Sequence, residues 1–316
     1  TDAKYAVAFN SATSALHASC LAFALSSNDI VWTVPNTFVA SANCVLLAGG
    51  KIDFVDIDPN TNNMDIELLE KKLIKAKKQK KLPKIVIPVH FSGNPYLQDK
   101  VKNLSNKYNF KIIEDASHAI GASYQNEKVG SCKWSDITVF SFHPVKIITT
   151  IKGGVATTNS LKLYNKLKLF GNHGITKDSK KFQKNNNDPW YYEQQVLGLN
   201  YRMSDVSAAL GISQLKRLKQ FTKERNNIAD IYGKNLNQNL IEIPKKNKLS
   251  ISTFHLYVIK VKQKNKHKGL FNLLRKNKIY VNLHYLPVHL QPYFRKKGFK
   301  KETFKNSEDH AKRAIS

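Results

Sequence analysis

The sequence predicts an α/β fold, a parallel sheet covered by helices, followed by a smaller α+β unit. Three observations carry that reading. Short apolar runs alternate with segments of helical periodicity through the first two hundred residues. A long periodic segment, 204–233, then closes this region, and a second alternation begins near residue 235. With 316 residues, 41% of them hydrophobic, the chain can bury cores of ordinary size without disulfides or metals.

The elements follow in order. A strand is expected at 5–9 and a helix at 12–25, with small residues at its start. Strands at 30–34 and 52–55 flank a short apolar helix, 40–48, stopped by Gly49-Gly50. The helix expected at 65–77 opens on acidic residues and closes in lysines, as the helix dipole favours. Strands at 85–89, 111–113 and 137–142 complete the sheet. The stretch 177–188, rich in lysine and asparagine, reads as a surface loop. Segment 204–233 has the apolar spacing of one helix of about eight turns, long enough to bridge two domains. Strands at 252–261 and 279–282, with a helix at 268–276 between them, form the second unit. The expected division is a large domain over 1–234 and a small C-terminal domain over 235–316.

The formal charge of +28, from 51 Lys+Arg against 23 Asp+Glu, would ordinarily raise nucleic acid as a partner. Only six of these cations are arginines and 45 are lysines, which lack the planar fork that reads phosphates and bases. The densest run, 70–84, has eight lysines and no aromatic residue to stack a base. The charge therefore reads as a solvated surface rather than a nucleic-acid groove. No apolar stretch is long enough to span a membrane. Cys20, Cys44 and Cys132 fit neither a disulfide framework nor a metal-binding pair, so a reducing cytoplasm and no metal are expected. No G-x-G-x-x-G follows the first strand, which argues against a nicotinamide oxidoreductase.

Four segments carry groups suited to a charged, phosphorylated ligand. Asn10-Ser11-Ala12-Thr13-Ser14 ends a strand and opens a helix, offering free N–H groups and hydroxyls to an anion. Glu114-Asp115-Ala116-Ser117-His118 puts a carboxylate just after a strand, where open α/β sheets bind ligands. Phe140-Ser141-Phe142-His143-Pro144-Val145-Lys146 ends a strand in a turn holding one lysine within the apolar stretch 145–148. Desolvation there would lower its pKa and make it a nucleophilic amine. Gly198-Leu199-Asn200-Tyr201-Arg202 forms a polar loop before the long helix.

Together, the run 135–150, the run 114–119 and Pro189-Trp190-Tyr191-Tyr192 resemble the DegT/DnrJ/EryC1/StrS sugar aminotransferases over nearly the whole chain. The match is nearest to the pseudaminic acid branch, whose members carry out the UDP-4-amino-4,6-dideoxy-N-acetyl-β-L-altrosamine transaminase reaction. The resemblance implies the fold type I of pyridoxal 5′-phosphate (PLP) transferases, with a mixed, mostly parallel central sheet and a smaller C-terminal α+β domain. It also implies that the chain is truncated at both ends.

Carried over residue by residue, it implies that Lys146 holds PLP as a Schiff base and then serves as acid and base. Asp115 would pair with the pyridine nitrogen, and His118 would sit near the phenolate oxygen. Phe38, which by its own setting reads as core, would cover one face of the ring. The phosphate would rest on Ala12, Thr13, Ser14 and the Ser141 hydroxyl. Asn200 would reach the cofactor region of a neighbouring subunit, implying a homodimer with shared active sites. His143, Asn282, Leu283, His284 and Tyr285 would contact the nucleotide sugar. The implied reaction moves an amino group from glutamate to the C4 ketone of a UDP-linked 4-keto-6-deoxy-N-acetyl amino sugar. Two runs depart from the family: Lys152-Gly153-Gly154 replaces a common Glu-Gly-Gly, and Gly171-Asn172 stands where an arginine and a hydroxyl residue are usual. These departures favour one rival reading, a catalytically impaired homologue with a binding or regulatory role.

Overall fold

Seven short strands lie side by side in one sheet, and this sheet positions the site. The structure, a computed structural model, describes residues 1–184, 186, 188–245 and 248–316. Strands β1 (Tyr5–Phe9), β2 (Ile30–Thr33), β3 (Lys51–Phe54), β4 (Ile85–Val86) and β5 (Lys111–Asp115) alternate with helices α1 (Ala12–Ala22), α2 (Ala40–Leu47), α3 (Ile66–Lys78) and α4 (Gln98–Tyr108). A hairpin of β6 (Ser123–Tyr124) and β7 (Glu127–Lys128) precedes β8 (Ile137–Ser141) and β9 (Gly154–Thr158). Strands β3, β2, β4, β5 and β8 run parallel, whereas β9 is antiparallel to both β8 and β1. The reversal has a local cause. Parallel neighbours need a crossover, usually a helix, but β8 returns to β9 through the turn 142–153 without one. That turn carries Lys146.

Alternation along the strands sends side chains to two cores, one on each face of the sheet. Val31, Ile85 and Ile113 pack with Leu16, Val45 and Leu167 of α1, α2 and α5 (Leu161–Gly171). Trp32, Val86 and Ile112 pack on the other side with Leu69 and Leu73 of α3 and Val101 of α4. Both faces are thus covered, as a mostly parallel sheet requires. The acidic start read for α3 is a working cap, because the Asp65 side chain accepts from the Leu68 N–H at 2.9 Å. The predicted strand 85–89 is cut to β4, since Pro88 has no N–H to give a ladder.

Four further sequence expectations need correction or comment. Strands β10 (Ile175–Thr176) and β11 (Glu193–Gln194) form a ladder around the predicted loop 177–188, of which residues 185 and 187 lie outside the described residues. The predicted helix 204–233 is two helices, α6 (Asp205–Lys216) and α7 (Leu218–Asn235). At the break the Arg217 N–H bonds to Gln214 O, one residue short of the helical partner, and the ladder restarts. The predicted strand 252–261 forms only at its C-terminal end. Strand β13 (Ser250–Ile251) joins β6, and β14 (Ile259–Val261) lies in a separate sheet between β12 (Ile241–Glu242) and β15 (Ala314–Ile315), leaving 252–258 irregular. The predicted strand 279–282 does not form, because the Val281 N–H closes a tight turn on Ile279 O and only Asn282 meets another edge, at Ser316. Helix α8 (His267–Lys276) forms where expected, while α9 (Pro292–Lys296) and α10 (Lys305–Ala311) are too short to show a period. No helix among the described residues is long and apolar enough to cross a membrane.

One glycine governs how closely α1 approaches the sheet. A Cβ on Gly154 would stand 2.5 Å from the Ala12 nitrogen and 2.6 Å from the Ser11 carbonyl carbon, both backbone atoms that cannot swing aside. Gly154→Ala is expected to cost about 1–3 kcal/mol in denaturant unfolding, as overpacking does. Gly269→Ala, in α8 with open space around it, is expected to stabilise by up to about 1 kcal/mol.

Candidate active site

The carboxyl ends of β1, β5 and β8 open on one cavity of about 570 Å³, a size suited to a small organic ligand. Its floor is built around the end of β5. Asp115 is buried at 5% exposure, and three groups donate to its carboxylate. Ser41 Oγ reaches Oδ2 at 2.6 Å, while Ser117 gives Oδ1 its hydroxyl at 2.6 Å and its N–H at 3.1 Å. Hydrogen bonds of this kind fix the orientation of a carboxylate.

The preceding residue faces the other way. Glu114, 1% exposed, accepts from Tyr96 Oη at 2.8 Å, Gln98 Nε2 at 2.5 Å, Ser135 Oγ at 3.1 Å and the Thr138 hydroxyl. Burial alone would raise this carboxyl, but His90, Thr138 and Tyr96 together outweigh it and hold it at about 2. The end of β5 is therefore tied on one face to β8 and to the segment before α4, and on the other face to the cavity.

Lys146 enters the cavity from the turn between β8 and β9. The turn is held by the Lys146 N–H on His143 O, by the Phe142 N–H on Gly153 O and by the Thr150 N–H on Phe142 O. Ile147 and Ile148 are buried beside it. Burial lowers the amine from its ordinary 10.5 to about 8, against the opposing pull of Asp115. Asp115 acts on it through charge alone, with no hydrogen bond to Nζ.

The remaining walls come from distant segments. At the N-terminus of α1, Ser11 Oγ caps the Ser14 N–H, which leaves the Ala12 and Thr13 amides at the cavity without a helical partner. Phe38 lies in the cavity wall with 59% of its surface exposed, its ring 6.4 Å from that of Tyr285. Ser141, His143 and the segment Asn282 to Tyr285 complete the lining. His118 is held between Ser92 and Tyr285, and the His255 ring lies 4.4 Å from it. Burial and nearby Lys146 lower both histidines, His255 to about 2, and lower His284 as well.

Of the residues singled out in the sequence, Ala12, Thr13, Phe38, Asp115, His118, Ser141, His143, Lys146, Asn282, Leu283, His284 and Tyr285 share this cavity. Ser14 does not line it. Its N–H serves the Ser11 cap and its hydroxyl donates to Asn10 Oδ1 at 2.5 Å. Asn200 is exposed outside the cavity, where its carbonyl accepts from the Asn10 side chain. Lys152, noted as a departure, lines the cavity. Three contributors carry no sequence signal: Ser41 inside a short apolar helix, Ser92 in a turn, and His255 in a stretch that alternates like a strand. Ser117 falls within the run 114–118, where its role as partner of Asp115 follows only from the turn geometry.

The Lys146 amine is expected to react with acetic anhydride at a rate that rises through about pH 8, because only the unprotonated amine attacks. Residue-resolved mass spectrometry should place exposed lysines at about pH 10.4. Asp115→Asn removes the anion that favours the charged amine, so the Lys146 midpoint is expected to fall further.

The chain matches the DegT/DnrJ/EryC1/StrS aminotransferase family over residues 1–316. It is 40% identical over 299 residues to the UDP-4-amino-4,6-dideoxy-N-acetyl-beta-L-altrosamine transaminase of Campylobacter jejuni subsp. jejuni serotype O:2, covering 93% of this chain and 74% of that protein. Its fold is similar to Helicobacter pylori PseC, an aminotransferase involved in the biosynthesis of pseudoaminic acid, with a TM-score of 0.88 and 30% identity over 99% of this chain and 81% of that one. It is also similar to NtdA from Bacillus subtilis with bound cofactor PMP, at a TM-score of 0.82 and 26% identity, covering 99% of this chain and 68% of that one. With its type I fold and a lysine and a carboxylate meeting in one cavity, the chain belongs to the DegT/DnrJ/EryC1/StrS aminotransferase family.

Proposed function

We propose that this aminotransferase uses pyridoxal 5′-phosphate to move an amino group from glutamate to the C4 ketone of a UDP-linked 4-keto-6-deoxy-N-acetyl amino sugar. The observation that carries the reading is the Lys146 amine, lowered to about 8, in one cavity with the triply bonded carboxylate of Asp115. The site fits the cofactor in three further respects. Gly154 lets the free amides of Ala12 and Thr13 stand at the cavity edge, which suits a phosphate. Phe38 leaves a ring face open to the cavity, which suits an aromatic cofactor. The buried Asp115 carboxylate suits a protonated ring nitrogen.

When bound, PLP supplies an electron-accepting ring and a carbonyl carbon through which an amino group can be taken up and passed on. The protein's part is binding, orientation and proton transfer. Lys146, half-protonated near pH 8, can release or accept a proton at Nζ under ordinary conditions. Asp115 keeps the ring nitrogen charged, and Ser41 and Ser117 hold its carboxylate in place. His143 and the segment Asn282 to Tyr285 contact the sugar nucleotide, and the lysine-rich surface draws the anionic diphosphate toward the cavity. The names of the Campylobacter and Helicobacter proteins support this substrate class.

In this reading residues 1–234 form the cofactor-binding domain and 235–316 the small domain. A second copy covers the apolar side chains left bare on α6, where Val206 is 77% and Ile212 62% exposed, and Asn200 serves the neighbouring site. Three free, buried cysteines agree with a reducing cytoplasm.

Mass-spectrometric product analysis with UDP- and dTDP-linked 4-keto sugars plus glutamate tests the proposal. An amino group at C4 of a UDP-sugar is expected, and Lys146→Ala is expected to lower turnover by about 10³-fold or more. Near-normal transamination by that variant refutes the role given to Lys146.

A further inference from the structure

We propose that Tyr285, and not His118, donates the hydrogen bond to a ligand oxygen in this cavity, and that the Ser92 backbone amide enforces this by fixing the His118 tautomer. The tautomer follows from one contact. Ser92 N lies 3.2 Å from His118 Nδ1, and a backbone N–H can only donate. Nδ1 therefore accepts and carries no proton, so the imidazole is neutral and its single proton is on Nε2. Nε2 lies 3.1 Å from Tyr285 Oη, so His118 donates and the phenol oxygen accepts. Both ring nitrogens of His118 are then used, and none is left to donate to a ligand. The phenol keeps its own proton. Among the described residues no other group bonds Tyr285 Oη, and the residue lines the cavity.

The surroundings hold this arrangement. Ser92 is a buried, non-glycine residue in the left-handed region, at φ 57° and ψ 7°, in the turn Phe91–Gly93. Such a backbone state persists only where its neighbours impose it. Gly93 follows at φ 90°, and a Cβ there would lie 2.7 Å from the His118 carbonyl oxygen. Thr253 Oγ1 donates to that same oxygen at 2.9 Å. A flipped His118 ring would leave the buried Ser92 N–H against a C–H group. Tyr285 is fixed in turn by its own N–H on Asn36 Oδ1 at 3.1 Å and by the rings of Phe38 and Phe91. Burial and the negative charge of Asp115 raise the phenol well above its ordinary value, so it stays a donor. Its partner is an acceptor oxygen, best an oxyanion. The ligand half of the proposal rests on the cofactor reading above.

Two measurements decide it. In protein labelled with ¹⁵N-histidine, long-range ¹⁵N–¹H NMR is expected to show His118 as the neutral Nε2–H tautomer at pH 7, with Tyr285→Phe shifting Nε2 more than Nδ1. The Nδ1–H tautomer or an imidazolium overturns the proposal. In fluorescence titration with pyridoxamine 5′-phosphate, Tyr285→Phe is expected to weaken binding about tenfold. His118→Gln, whose amide can accept from Ser92 and donate to Tyr285, is expected to lose less. Unchanged affinity in Tyr285→Phe with a loss in His118→Gln returns the donor role to His118. If the wild-type protein does not bind pyridoxamine 5′-phosphate, the functional reading fails and the donor role with it, whereas NMR still decides the tautomer.

Discussion

Two adjacent carboxylates at the end of one strand hold the site together. Successive side chains of a strand point to opposite faces, so Glu114 and Asp115 cannot share an environment. Glu114 faces a closed interior and stays charged because Tyr96, Gln98, Ser135 and Thr138 all donate to it. Each hydrogen bond to a buried charge of this kind contributes about 1.5–3 kcal/mol, so these donors fix the end of β5 against β8. Asp115 is thereby delivered to the cavity at a set depth, where Ser41 and Ser117 orient it. Asp115 is thus positioned by a sequence neighbour that does not line the cavity.

The same economy explains the lysine turn. Because β9 returns antiparallel beside β8, no crossover helix is needed and the connection is a turn, which opens at the same sheet end as Asp115. Gly154, the first residue of β9, then lets the N-terminus of α1 come within backbone contact. One reversal of strand direction thus brings an amine, a carboxylate and a set of free amides to a common cavity. Lysine burial alone would not mark the site. Lys72 and Lys260 also have lowered values through burial, but Lys72 is paired with Asp53 and Phe54 O, and Lys260 donates to Pro59 O. Lys146 differs in having an open cavity in place of a partner.

Much of this was legible in the sequence, for definable reasons. Lys146, Asp115 and Ala12-Thr13 each stand at or just past the end of a strand, and strand ends in an α/β sheet converge, so chain order carries spatial information. Phe38 was harder, because its apolar character reads as core until the cavity is seen to leave its face exposed. Ser41, Ser92 and His255 were hidden because their roles depend on contacts between segments far apart in the chain. The strand expected at 252–261 forms only at 259–261, because 252–255 is drawn inward against His118 rather than into a ladder. The long helix split at Arg217 without a glycine or proline to announce it. Ser14 belongs to the right helix start but is used for the cap, a distinction of one residue that only the hydrogen bonds resolve.

One lysine among 45 is chemically distinct because of where the fold places it. Incubation with pyridoxal 5′-phosphate, reduction with sodium borohydride and residue-resolved mass spectrometry of the digest tests it directly. A single dominant adduct on Lys146 at stoichiometric cofactor is expected. Label spread over the exposed lysines, with Lys146 unmodified, would contradict it.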